Sequence, residues 1–234
     1  MLSLLPEYDL DSVVDWIITA GYPDEFCISD SFDPLFIRRL FHAGFLVMSA
    51  YIDNVWYLLP KYHHTRSVLF FENLHVSRST ARKLDQYELR PFDSVSMMLE
   101  QCIHAHGDDW LTLPLQQALS SLELVPFWDI GSYTRCRDEG SRNSPCGCIA
   151  FGLYQDKELV AGEFGVVCGR VYTSYSGFYV ESGAGTVQLC LTAQCLESRG
   201  FAFWDLGMPM DYKTKLGAQD IDRDHFTRLF RSAR

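Results

Sequence analysis

The sequence predicts a mixed α+β fold, and three observations carry that prediction. Strand-like runs CIAFGLY, LVAGEFGVV and RVYTSYSGFYV follow one another from residue 148 to 180. A helical pattern at 186–198, stopped by Gly200, leads into a further strand, FAFWDL. Before them, shorter helical and strand segments alternate. Strands in a meander followed by helix and strand imply an α+β domain from about residue 126 onward, with a smaller α/β lobe at 1–125 packed on it.

Composition agrees. The chain has 234 residues, 47% hydrophobic and 21% charged, which suits one domain with a full core or two small ones and excludes disordered or fibrous classes. Aromatic residues reach 14%, enough to build a core or line a pocket. The net charge of -10 argues against a broadly basic nucleic-acid binder. That charge is uneven. Residues 1–37 form an acidic leader with Glu7, Asp9, Asp11, Asp15, Asp24, Glu25, Asp30 and Asp33 and no Lys or Arg, which leaves the rest nearly neutral. A local basic face therefore remains open.

Taken in order, 10–20 and 34–43 read as helices, the second opening on Pro34 and stopped by Gly44. Residues 45–51, 55–59 and 67–71 have strand character. Ser77-Arg78-Ser79-Thr80 opens a basic helix with Arg82 and Lys83 on its first turns. Helices follow at 93–105, with Val95, Met98, Leu99, Cys102 and Ile103 on one face, and at 112–123. Residues 129–147 are polar and turn-rich and read as a long loop. Gln155-Asp156-Lys157-Glu158 is a turn between the first two strands of the meander, and 221–231 is a short helix carrying Arg223, Arg228 and Arg231.

The start of the chain has no basic n-region, and its apolar run stops at Pro6, so it reads as neither a secretory signal nor a transit peptide. No stretch approaches the ~18 apolar residues that span a bilayer. Cytoplasm is the expectation, with no membrane partner and a monomer suited to the size. Of eight cysteines, Cys136, Cys146 and Cys148 cluster, but without CxxC pairs; reduced thiols in a loop are expected there, and no metal. His63-His64 and His104-Ala105-His106 read as solvent-facing or capping.

Two features point to chemistry. Gly183-Ala184-Gly185 precedes a helix, where exposed amides can hold an anion; an ordinary strand-to-helix turn is the competing reading, and Glu181 beside it disfavours phosphate. Asp205 ends an apolar strand, either as a cap or aimed into a cleft.

At this point a resemblance emerges. Leu159-Val160-Ala161-Gly162-Glu163-Phe164-Gly165-Val166 is similar to an LVGG-(aromatic)-GV hairpin, and Trp204-Asp205-Leu206-Gly207 stands where an Asp-Cys-Gln strand end is found. Leu216-Gly217-Ala218 with Ile221, Arg223 and Phe226 resembles an SLGA…I-x-R-x-x-(aromatic) tail. Arg66-Ser67-Val68-Leu69, Leu74-His75-Val76-Ser77-Arg78-Ser79 and Trp110-Leu111-Thr112 resemble RAVL, LHISRS and WIT signatures in the same order. These are the marks of the leucyl/phenylalanyl-tRNA–protein transferase family. The resemblance runs from about residue 33 to 230 and breaks at 129–147, which has the look of an insertion.

The resemblance implies a GNAT-like (N-acetyltransferase-like) C-terminal domain at 126–234 and transfer of Leu, Phe or Met from aminoacyl-tRNA to a protein beginning with Arg or Lys. That marks the acceptor for degradation and needs no cofactor. Asp205 matches the carboxylate near the acceptor amine. Its partner Gln falls at Gly207, and a second acid falls at Tyr175, a phenol of reference pKa about 10 that could relay a proton without being an anion. Ser176 and Phe178 match; Gly177 replaces a Met and is expected to enlarge or reshape the side-chain pocket. Met48 stands for a Trp, and Tyr212 for a His. Trp110 is expected to floor the pocket or stack on the terminal adenosine. Arg66, Arg78, Arg82 and Lys83 are candidate contacts to RNA phosphates.

Three readings follow. The first is an aminoacyl-tRNA-dependent transferase with its polar work reassigned to Asp205, Tyr175 and backbone amides. The second is an acyl-thioester-dependent N-acyltransferase using the Gly183–Gly185 turn, weakened by Val180 where Arg or Gln is expected. The third is a non-catalytic binder of aminoacyl-tRNA or protein N-termini. Under the first, Asp205→Asn is expected to lose most turnover in a folded protein and Gly207→Gln to raise it. The acidic leader is expected to cover an acceptor site for a basic N-terminus.

Overall fold

The computed structural model describes residues 1–122, 124–125 and 146–234. Strand β1 (Leu2–Ser3) precedes helix α1 (Leu10–Thr19), and β2 (Cys27–Ile28) precedes α2 (Pro34–His42). Then come β3 (Leu46–Ile52), β4 (Val55–Lys61), β5 (Thr65–Leu69), the single turn α3 (Arg78–Ala81), β6 (Glu88–Pro91), α4 (Val95–His106) and α5 (Leu113–Ser120). The second half holds β7 (Cys146–Gln155), β8 (Glu158–Cys168), β9 (Val171–Tyr179), α6 (Ala184–Ser198), β10 (Phe203–Asp205), α7 (Asp211–Leu216), β11 (Gln219–Asp222) and α8 (Arg223–Ala233). The expected α+β composition stands.

Local chemistry explains the boundaries. Asp33 caps α2 by accepting the Leu35 amide, and Pro34 fills its first turn. Ser94 and Asp222 cap α4 and α8 in the same way. Asp156 and Lys157 both take positive φ, 47° and 74°, the backbone of a two-residue hairpin turn whose twist matches the strands it joins.

Seven strands form one sheet in the order β11-β5-β10-β9-β8-β7-β6. Only β9 and β10 run parallel, joined through the α6 crossover; the other neighbours are antiparallel. Alternation along β8 sorts the two layers. Phe164, Val166 and Cys168 face a core closed by α1, α2, α4, α5 and α8. Val167 faces the opposite core with Phe151, Tyr172 and Trp204, under Cys190, Ala193 and Leu196 of α6. Each fully buried side chain of this size stabilises the fold by roughly 1.5–3 kcal/mol. Strands β5 and β6 come from the first half of the chain yet belong to this sheet, β5 inside it and β6 at its edge.

Several expectations change. The basic helix at 77 is one turn long, because Lys83 leads into a 3-10 turn at Leu84–Gln86. The polar stretch read as a loop lies largely outside the described residues, Cys136 with it, but Cys146 and Gly147 already belong to β7. Cys146 and Cys148 are buried strand thiols, and Cys146 lies opposite Cys168, sulfurs 2.7 Å apart. His63 is buried rather than solvent-facing, and that burial beside Arg66 pushes its pKa down to about 2.

The leader also has a different role. Leu4, Leu10, Val14, Ile17 and Cys27 are core residues. Asp15 pairs with Arg231 at 2.6 Å, Asp11 with Arg234 at 2.6 Å, and Glu25 with Lys61 at 3.1 Å. These acids meet the chain's own cations, so they are not held out for a basic N-terminus. Among the described residues, no helix is long and apolar enough to cross a membrane.

Candidate functional site

The last pair between β9 and β10 is Thr173 with Asp205. There β10 ends while β9 continues to Tyr179, so the strands part and Ser174 to Gly177 stay half-buried along the opening. A bulge in β9 marks the same place: Gly165 faces Ser174, Phe164 faces Ser176, and Tyr175 is the extra residue. Beyond β10 the chain turns at Gly207, whose φ is +77°. Lys213 fixes that turn by donating to the carbonyls of Leu206 and Met208, at 2.5 and 2.7 Å, and burial pushes its pKa down to about 8.

On the face covered by α2 and α8, the predicted carboxylate is closed off. Asp205 is 1% exposed and pairs with Arg66 at 2.6 Å. It also accepts from the Thr173 hydroxyl at 3.1 Å and the Gly207 amide at 2.9 Å. The crevice beside it, lined by Phe41, Gly44, Phe45 and Val166, is too tight for a water. Arg66 is likewise 1% exposed, donates to the Gly44 carbonyl and stacks on Phe226, so it cannot reach an RNA phosphate. Sequence placed Asp205 and Arg66 in separate roles; the fold makes them one buried ion pair.

Tyr175 does not serve as a proton relay. Its hydroxyl donates to the Val47 carbonyl at 2.5 Å, its ring packs on Phe41, Trp110 and Phe164, and burial pushes its pKa up. Trp110 is half-buried against this ring, 5.7 Å between centroids, while Met48 is half-buried on β3 opposite Leu59. Phe178 is 4% exposed and its ring lies over Gly162 in the core, out of substrate reach. Gly177 enlarges nothing, because a Cβ there would stand 2.8 Å from the Gly162 carbonyl. Its own carbonyl lies 2.7 Å from His106 Nε2, a contact the sequence did not foretell. The Ser176 hydroxyl meets the Cys102 thiol.

The opposite face holds the acid that sequence reasoning missed. Glu163, in the centre of β8, is 5% exposed. The Ser174 hydroxyl donates to its Oε2 at 3.1 Å and accepts from Trp204 Nε1 at 2.8 Å. Its Oε1 and the Thr192 hydroxyl of α6 lie beside each other but do not meet hydrogen-bonding geometry. Burial raises the pKa to about 7, against a smaller pull downward from Ser174 and Thr192. The signal was available: a lone acid in an otherwise apolar strand run.

Arg78, Arg82 and Lys83 are exposed. Leu84, next to Lys83, packs against Ala184 and Val187 in the first turn of α6, which sets this basic turn on the Glu163 side of the sheet. The Gly183–Gly185 turn takes φ +90° at Gly183, as a strand-to-helix junction requires.

These elements define the class: an α+β protein in which a meander, a crossover helix and a diverging parallel pair frame an opening. Residues 143–231 match the family model described as leucyl/phenylalanyl-tRNA protein transferase. The chain is 29% identical over 167 residues to the leucyl/phenylalanyl-tRNA–protein transferase of Pseudomonas aeruginosa, covering 69% of this chain and 65% of that protein. It is 28% identical over 196 residues to that of Maridesulfovibrio salexigens, covering 77% and 72%. The Pseudomonas match thus spans less than two thirds of that protein's length. Solved structures with a similar course include a GCN5-related N-acetyltransferase from Kribbella flavida, with 12% identity, TM-score 0.38, and coverage of 93% of this chain and 74% of that one. The C-terminal domain of a putative lysylphosphatidylglycerol synthetase from Agrobacterium fabrum gives 10% identity and TM-score 0.43, covering 91% and 71%. Over these spans the chain is similar to the leucyl/phenylalanyl-tRNA–protein transferases.

Proposed function

We propose that this protein transfers Leu, Phe or Met from aminoacyl-tRNA to the N-terminal amine of a protein beginning with Arg or Lys. The observation that carries the reading is the match over 143–231, which takes in β8 to β11 and so the whole β9–β10 opening. Residues 126–234 hold the chemistry in this reading, and residues 1–125 supply Met48 and Trp110 as contacts for the donor side chain. Arg78, Arg82 and Lys83 contact the tRNA phosphates. Ser176 and Gly177 present β9 to the acyl group. Because charged tRNA is a cytoplasmic species, the reaction belongs to the cytoplasm.

The step is aminolysis of an ester. The neutral α-amine attacks the acyl carbon, the C–N bond forms, and the C–O bond to the tRNA 3′-oxygen breaks as the amine proton is passed on. The opening positions the reactants and the backbone of β9 faces the acyl oxygen.

One observation favours a non-catalytic binder instead: Asp205 is committed to Arg66 and Tyr175 to Val47, leaving neither for proton work. A single experiment separates the two. Purified protein is incubated with Leu-, Phe- or Met-charged tRNA and peptides starting with Arg or Lys, and products are read by mass. A peptide heavier by one residue is expected. Binding of charged tRNA or peptide without product from any donor overturns the transferase in favour of the binder.

A further inference from the structure

A buried carboxylate costs free energy unless its oxygens are paired or the group has work to do. Glu163 is half-paired. Ser174 and, behind it, Trp204 orient Oε2, while Oε1 faces the Thr192 hydroxyl without hydrogen-bonding geometry. Ser174 is also the first residue of β9 past its last pair with β10, and it is half-buried where Glu163 is buried. The two residues that the sequence offered for proton transfer on the other face are occupied.

On these grounds, and resting on the aminoacyl-transfer reading above, we propose that Glu163 is the proton acceptor of the reaction, working through Ser174. As the amine attacks, its proton passes to the Ser174 oxygen while the Ser174 proton passes to Glu163 Oε2. When the ester C–O bond breaks, the same path runs backward and delivers the proton to the 3′-oxygen, leaving Glu163 ionised and Ser174 unchanged. Atoms and charge balance with no further reactant. The titratable groups that bear on Glu163 are Tyr172 of β9, Tyr212 of α7 and Cys102 of α4; none is a cation, so none holds the carboxylate permanently ionised. The burial that brings its pKa to about 7 suits a group that must accept and return a proton near neutrality.

The test compares the full-length protein with Glu163→Gln and Ser174→Ala, using charged tRNA and an Arg-starting peptide, with single-turnover rates followed from pH 5.5 to 8.5. Wild type is expected to show a rise through about pH 7 besides that of the peptide amine near 8. Glu163→Gln should lose at least about a hundredfold in rate and keep only the amine's rise. Ser174→Ala breaks the relay, so its rate should fall as in Glu163→Gln and the rise near 7 should vanish. Full rate and an unchanged profile in Glu163→Gln overturn this proposal while the transferase reading stands. If Glu163→Gln fails to fold, Ser174→Ala decides: a wild-type rate and profile overturn the proposal. No product from wild type overturns both.

Discussion

Asp205 and Arg66 are each 1% exposed, so each is costly without the other. Removing one partner from a buried pair costs about 3–5 kcal/mol, because the remaining charge stays in the core. Asp205→Asn should therefore lower the unfolding midpoint in urea markedly, while replacing both residues with apolar side chains of similar volume should cost much less. Lost turnover in Asp205→Asn alone would report instability rather than chemistry. Gly207→Gln is expected to lose stability by about 1–2 kcal/mol instead of gaining rate, because φ +77° strains any side chain with a Cβ. Glu163 gives a pH signature. Its folded pKa of about 7 lies above the unfolded value of 4.5, so the native state binds the extra proton between them and stability falls as pH rises through that window. The loss amounts to roughly 3 kcal/mol above pH 7. Glu163→Gln should be less pH-dependent than wild type by that amount, measured as the difference in unfolding free energy at pH 4.5 and 8. Asp205 was visible in the sequence because strand ends attract attention. Its burial was not visible, because the partner Arg66 lies on β5 far along the chain.

At the scale of elements, long periodic segments were legible and short ones were not. Helices α1, α2, α4 and α5 fall within a few residues of their sequence positions, because apolar periodicity and capping residues mark them. Strands β6 and β11 have four residues each, half of them or more charged or polar, and they exist only because the sheet offers them a neighbour. The β7–β8 turn was read correctly, yet Lys157 sits at φ 74°, where Gly relieves strain. Lys157→Gly should stabilise the hairpin by about 0.5–1 kcal/mol, checked by thermal unfolding. The candidate site was only partly legible for a related reason. Motif order located β9 and β10, but which face of each strand looks at the opening depends on the bulge at Tyr175, and nothing in the residues announces a bulge.

Across the whole molecule, the two ends of the chain close on each other. Arg223 donates to the carbonyls of Tyr22, Asp24, Tyr62 and His63, tying the start of α8 to the segment after α1. Hydrogen bonds from a charged donor are worth about 1.5–3 kcal/mol each when their acceptors are buried, whereas exposed ion pairs are worth under about 1. Arg223→Ala should consequently unfold the protein at lower urea than Arg231→Ala, which loses one bond to the Asp11 carbonyl and its pairs with Asp11 and the exposed Asp15. The composition showed an acidic leader and a basic tail, but charge alone could not say that they meet.

The placement of β5 has a temporal consequence. Its neighbours are β10 on one side and β11 on the other, both made more than half the chain later. A strand emerging from the ribosome at Thr65–Leu69 therefore waits, unpaired on both edges, through the synthesis of the entire meander. Such non-local closure slows folding and leaves two unpaired strand edges open to other chains in the interval. Nascent protein, rather than mature protein, is where this fold is most vulnerable to aggregation.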